Sequence, residues 1–111
     1  MKVVALQDGQ RAFVFGAMDR KSFDGYCQEC FGDMPAVSDN AQLVQAVLRK
    51  RLAQHFRSDI LDWITENNIE ITYWIDGHMF DINFSSQFLY EWGIMFHPDS
   101  NIETLFTLRW A

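Results

Sequence analysis

Two stretches of this chain place apolar and polar positions in alternation around an Asp-Gly dipeptide. In "IEITYWIDGHMFDINF" the dipeptide is Asp76-Gly77, and two β-branched and aromatic runs flank it. A two-residue type I′ turn needs positive φ at both central residues, which Asp-Gly supplies at low cost, so the stretch predicts a β-hairpin. With that loop, Tyr73 faces Phe80, Ile71 faces Ile82, Ile69 faces Phe84, and Ile75 faces His78. The other face then pairs Trp74 with Met79, Thr72 with Asp81 and Glu70 with Asn83, giving one apolar and one wet face. "KVVALQDGQRAFVF" repeats the device with Asp8-Gly9, pairing Val4 with Phe13 and Val3 with Val14.

Between the hairpins the period changes from two to between three and four. In "SDNAQLVQAVLRKRLAQHF", Leu43, Val44, Val47, Leu48, Leu52 and Phe56 form one helical stripe, with Ser38 or Asp39 as cap. The pattern continues through Ile60, Trp63 and Ile64. A single helix to Asn67 would be about 43 Å long, too long for so small a domain. A break is therefore expected near Arg57-Ser58-Asp59, with Ser58 capping a second helix. A further amphipathic helix is predicted from Asp19 to Phe31, with Asp19 as cap and Gly32 as stop.

Two segments are less decided. "SSQFLYEWGIMFH" as a helix gathers Phe88, Leu89, Trp92, Met95 and Phe96 on one stripe. As a strand it aligns Phe88, Tyr90, Trp92, Ile94 and Phe96. The helix is the reading taken, with Ser85 as cap. The tail, "NIETLFTLRWA", is read as a helical turn leading into a strand that carries Phe106, Leu108 and Trp110 on one side. The expected fold is α+β in two layers: a mostly antiparallel sheet of two Asp-Gly hairpins and a C-terminal strand, with helices on one face. Strong breaks fall only around Gly32 to Pro35 and around Pro98, so residues 1–111 read as a single domain.

Composition narrows the function. Acids outnumber bases 15 to 9, for a net charge of −6. That speaks against a nucleic-acid binder, which needs clustered Lys and Arg, and against docking on anionic membranes. No signal peptide or membrane span is read, and two cysteines make no disulfide framework, so a cytoplasmic location is expected.

Those cysteines, Cys27 and Cys30, stand at C-x-x-C spacing in "GYCQECFGD". As half of a zinc site they lack a second C-x-x-C, and His55, His78 and His97 form no H-x₃₋₅-H pair. As a redox pair they lack the strand-helix setting such motifs use. The preferred reading is packing: Phe23, Tyr26, Cys27, Cys30 and Phe31 share one helix side. No cofactor is expected, with zinc at Cys27 and Cys30 as the alternative.

Asp76, His78 and Asp81 invite an acid-base or metal reading, but the hairpin register sends His78 and Asp81 to opposite faces and spends Asp76 on the turn. Arg49-Lys50-Arg51 with Arg57 fans around a helix, so it reads as a solvated face or a contact for an acidic partner, with Arg51 nearest the apolar stripe. Trp74 with Met79, beside Glu70 and Asp81, is the best candidate contact surface, since aromatics and Met are enriched in interface cores. No phosphate loop, nucleophile elbow or zinc-protease helix is present, and the balance falls against an enzyme.

The last third of the chain resembles small accessory proteins of tailed bacteriophages. The likeness rests on "ITYWIDGHMFDINF" and a closing "NIETLFTLRWA", where Phe106, Leu108, Arg109 and Trp110 occupy the places of a D-A-x-x-F-K-L-x-W ending. Thr107 stands where Lys is usual, and "QFLYEWGIMFHP" is a longer insertion. The resemblance implies a viral protein that binds and inhibits or modulates a host protein, such as defence or transcription machinery, in the host cytoplasm. The alternatives are a small metal- or thiol-dependent enzyme using Cys27 and Cys30, and a virion or other oligomeric structural component.

Overall fold

The computed structural model describes residues 2–33, 37–55, 57–97 and 101–110, with the backbone alone at 38, 54 and 55. In chain order the elements are β1 (Lys2–Ala5), β2 (Arg11–Met18), α1 (Arg20–Phe31), a 3-10 turn (Val37–Asp39), α2 (Ala41–His55), α3 (Ser58–Glu66), β3 (Ile71–Ile82), β4 (Ser85–Phe96) and α4 (Ile102–Trp110). Of the break expected around Gly32 to Pro35, Gly32 ends α1 while Pro35 lies outside the described residues, as do Pro98 and Phe56 of the helical stripe. The chain is α+β: one curled antiparallel sheet, in the order β1-β2-β4-β3, packed with helices.

The helices follow local chemistry closely. Asp19 caps α1 by accepting a hydrogen bond from the Ser22 N–H at 2.7 Å. Gly32 ends the helix at φ +64°, its N–H returning to the Gln28 carbonyl at 2.8 Å. The helical break falls where expected, at Arg57, but both expected caps are corrected. Asn40, not Asp39, caps α2, its Oδ1 accepting from the Gln42 and Leu43 N–H groups. Asp39 belongs to the preceding 3-10 turn, and the Ser38 side chain lies outside the described residues. Ser58 is already helical in α3, whose start carries instead an Arg57–Asp59 ion pair at 2.7 Å.

The first hairpin forms with its register moved by one residue. Val3 pairs with Phe13 and Val4 with Ala12, because the loop has three residues rather than two. Gly9 sits at φ +85°, its N–H bonded to the Leu6 carbonyl, and Asp8 Oδ1 accepts from the Gln10 N–H. This is the type I turn with a left-handed third residue that Asp-Gly serves equally well.

The second hairpin departs further. Asp76-Gly77 lies in mid-strand, and the turn is Asn83-Phe84, closed by the pair Ile82 and Ser85. Residues 85–96 are therefore a strand, not the expected helix. In this register Phe88, Tyr90, Trp92, Ile94 and Phe96 share a face with Ile71, Tyr73 and Ile75. The physical reason is non-local. As a strand, β4 pairs with β2 on one side and β3 on the other, and it buries Trp92, Ile94 and Phe96 almost completely. A local turn preference of about 1 kcal/mol does not compete with that.

The tail is also corrected: α4 is helical throughout, with no C-terminal strand. Phe106 and Trp110, one turn apart, pack on Trp63 of α3, while Phe106 also meets Phe13 and Phe96. One hydrophobic cluster thus draws on β2, β3, β4 and all four helices. On the other sheet face, Ala12 and Val14 are buried without joining that cluster.

Two strand glycines separate rigid from yielding surroundings. A Cβ at Gly93 would lie 1.8 Å from the Phe13 carbonyl oxygen, beside the bulge that interrupts β2–β4 pairing between Val14 and Gly16. At Gly77 a Cβ would lie 2.5 Å from the Phe88 ring edge, but that ring is half exposed and can swing away. Gly93→Ala should cost about 3 kcal/mol or more, and Gly77→Ala about 1 kcal/mol. Urea unfolding of the two variants checks this, and equal losses would contradict it.

Candidate functional site

β2 pairs with β4 only from Ile94 to Tyr90, whereas β3 and β4 stay paired to Ile82 and Ser85. Beyond Gly77 and Tyr90 the two strands continue alone as an arm, about 17 Å long at the usual rise per strand residue. The arm carries Met79, Ile82, Phe84 and Phe88, four of the seven large apolar side chains that the described residues expose. Met79 pairs with Phe88 on one face, and the Phe88 ring meets Tyr90 edge-on at 5.3 Å. Gly77 is what lets those two rings lie across the strand.

The tip is strained as well as apolar. Asn83 and Phe84 have φ of +49° and +66°, the two positive values a type I′ turn demands. Asn tolerates that backbone, but Phe does not do so without a cost of roughly 1–2 kcal/mol. The Phe84 ring is fully exposed, so nothing in the described fold repays the strain.

At the base of the arm, on the face opposite the helices, lies a polar knot. Glu91 is the one buried charged residue among those described. Its carboxylate accepts from Lys2 Nζ at 2.9 and 3.1 Å and meets His78 Nε2 at 2.5 Å. Asp76 stands 3.8 Å from the other imidazole nitrogen, and the His78 ring packs on Phe80 at 4.9 Å. Burial pushes the Glu91 pKa up, but the hydrogen bonds and charges of Lys2 and His78 outweigh it and hold the carboxyl below its ordinary value. The knot ties β1, β4 and β3 together across the sheet.

Residues expected to form a site are distributed differently. His78 and Asp76 do share a face, because Asp76 is in strand rather than turn; Asp81 lies on the other face, accepting from Ser86 Oγ at 2.8 Å. Glu91 completes the cluster, and its only sequence signal is that of a lone acid inside the apolar run "FLYEWGIMF". Trp74 and Met79 are not cross-strand partners. Trp74 is half-buried opposite Gly93 on the knot's face, and Met79 is exposed on the other. Glu70 and Arg49 meet at a crevice with Leu61, Ile64 and Tyr73, away from the arm. Lys50 is half-buried on α2, and the half-buried Arg51 stacks its guanidinium on the Tyr26 ring at 4.7 Å.

Cys27 is buried in the helix-covered cluster and Cys30 packs at its margin, as the helical spacing of Phe23, Cys27, Cys30 and Phe31 predicts. Burial, reinforced by the nearby Asp24 carboxylate, pushes the Cys27 thiol up, which suppresses the thiolate that metal binding or nucleophilic attack needs. Among the described residues no group of three or more His, Cys, Asp and Glu is placed to hold a metal; the His55 side chain lies outside them. No helix of the described chain is long and apolar enough to cross a membrane.

No family model, curated protein or solved structure matches this chain. The geometry therefore has to speak for itself: a helix-backed sheet extended by a bare two-stranded arm with an aromatic tip.

Glu91→Gln should lower stability by about 2 kcal/mol at about pH 7, because the buried carboxylate loses its charge-assisted hydrogen bonds to the partly exposed Lys2 and His78. Since the folded pKa of Glu91 is depressed, its contribution is complete above the ordinary carboxylate value of about 4.3 and is lost as pH falls through the lowered one. Urea titrations of both proteins should therefore converge in acid. In thiol labelling of the native protein, Cys30 should react at least about tenfold faster than Cys27, which becomes reactive only on unfolding. Equal rates would place Cys27 outside the core.

Proposed function

We propose that this protein acts by stoichiometric binding to another protein, and that the β3–β4 arm is the element it presents. The observation that carries the reading is Phe84: an aromatic ring held in full exposure on a left-handed backbone, at the end of an arm that the core does not use. Exposed apolar clusters on a small domain mark contact sites, and aromatic and Met side chains supply interface anchors. Strain kept at a position that packs against nothing is consistent with a role outside the folded monomer. The resemblance to small phage accessory proteins supplies a setting, in which the partner is a host protein of the infected cell and the effect is inhibition or modulation. The buried, protonated thiol of Cys27 favours this reading over a thiol- or metal-dependent enzyme.

Phe84→Gly separates binding from folding. Glycine relieves the positive φ, so the variant should be more stable than the parent by about 0.5–1 kcal/mol. Partner capture by the immobilised variant should nevertheless fall at least about tenfold, as expected for loss of an aromatic anchor worth about 1.4 kcal/mol or more. A variant that is more stable and captures the same partner equally well removes the arm from the function.

A further inference from the structure

The two edges of β3 are not treated alike. One faces β4, and the other is an outer edge of the sheet. Near its start that outer edge is occupied: the Gln45 side chain of α2 donates to the Tyr73 carbonyl at 2.7 Å and accepts from the Tyr73 N–H at 2.7 Å. The backbone groups of Tyr73 therefore point away from β4. In an antiparallel pair outward and inward residues alternate, so Ile75, Gly77, Met79 and Asp81 also turn their N–H and C=O outward. The other end of the hairpin agrees independently. A two-residue turn closes on a hydrogen-bonded pair, here Ile82 and Ser85, which makes the even-numbered residues of β3 the inward set.

Past Tyr73 this edge is guarded only by the charges of Asp76 and Asp81. Residues 75–82 contain no Pro and no Lys, β3–β4 pairing runs without a bulge, and no described side chain bonds the outward groups as Gln45 does. The Asp, Glu, Lys and Arg side chains of the strand itself are all acidic, and Lys2, which reaches the Phe80 ring at 5.9 Å, is bonded to Glu91. Residues 58–108 hold nine of the acids and not one Lys or Arg, and Asp76 and Asp81 flank the open groups on the two faces.

We infer that the outer edge of β3 from Ile75 to Asp81 is a strand-addition site for an extended segment of a basic partner protein. The inference rests on the arm-binding function and names the partner's chemistry. Backbone hydrogen bonds to Ile75, Gly77, Met79 and Asp81 supply the register. Lys or Arg side chains on the added strand meet Asp76 and Asp81, while its apolar side chains lie beside Met79 on one face and Trp74 and Phe80 on the other. A second copy of this chain fits less well. It would bring the Asp76 and Asp81 side chains of two edges together, and Lys2, the cation that reaches the Phe80 ring, is already bonded to Glu91.

The full chain can be tested with a capped peptide of about eight residues that carries Lys on both faces among Val and Thr, of a length suited to strand addition. A Glu-for-Lys version serves as control. Amide hydrogen exchange is the readout. The Lys peptide should slow exchange at Ile75, Gly77, Met79 and Asp81 by at least about tenfold, with the inward amides of Asp76, His78 and Phe80 already protected. The Glu peptide should leave all four unchanged. Met79→Pro removes an outward N–H and no β4 bond, so it should abolish the protection while Asp76 and Phe80 stay protected. Met79→Ala should retain it. No protection by the Lys peptide, equal protection by both, or protection of the four amides in the free protein that rises with its own concentration would each overturn the proposal. If that happens while Phe84→Gly still loses the captured partner, the arm keeps its binding role without strand addition. If Phe84→Gly captures normally, the underlying function fails instead.

Discussion

The placement of β4 between β2 and β3 is the constraint on which the other features depend. It sets every second residue of an aromatic strand, Trp92, Ile94 and Phe96, into the helix-covered core, and sends Glu91 to the other face. Gly93 makes the placement possible, since the backbone of β2 comes close enough at the bulge to exclude any side chain there. Helices α1, α2, α3 and α4 then cover the row that β4 presents, and their apolar stripes meet it in one cluster.

The same placement creates the arm. β3 and β4 are each 12 residues long, while the part of β4 that β2 can match is short. The surplus has no sheet to join, so it projects with its apolar side chains uncovered. The Glu91 knot stands where the arm leaves the sheet, bonded to β1 through Lys2 and to β3 through His78. A charged group is costly to bury unless it is paired, and here the pairing joins three strands at the arm's base. Stability is thus concentrated at the root, and exposed apolar surface at the tip. This division suits a binding element on a rigid support.

Much of the helical part was legible in the sequence because its signals are local. Asp19 and Gly32 bound α1, the stripe of α2 breaks at Arg57, and Phe23 with Cys27 turns inward, each decided within a few residues. That is why the C-x-x-C pair could be assigned to packing without structural help. Turn chemistry was equally local at Asp8-Gly9, although the loop length, and with it the register, turned on whether Gly9 was the second or the third loop residue.

What the sequence determined by itself, then, is the α+β class, the amphipathic stripes of α1, α2 and α3 with both ends of α1 and the break at Arg57, and a propensity for turns at both Asp-Gly sites. Only the tertiary structure decided that Asp76-Gly77 runs straight through a strand, that residues 85–96 extend rather than coil, and that the tail is a helix. In each case the local preference is worth about 1 kcal/mol or less. The deciding term is burial against distant partners: Trp92 and Ile94 within the sheet, and Phe106 between Phe13, Phe96 and Trp63. Large apolar side chains each gain about 1.5–3 kcal/mol from full burial, so a few of them outweigh a turn. The Glu91–His78–Lys2 knot was hidden for the same reason, since residues 2, 78 and 91 become neighbours only when the sheet is assembled.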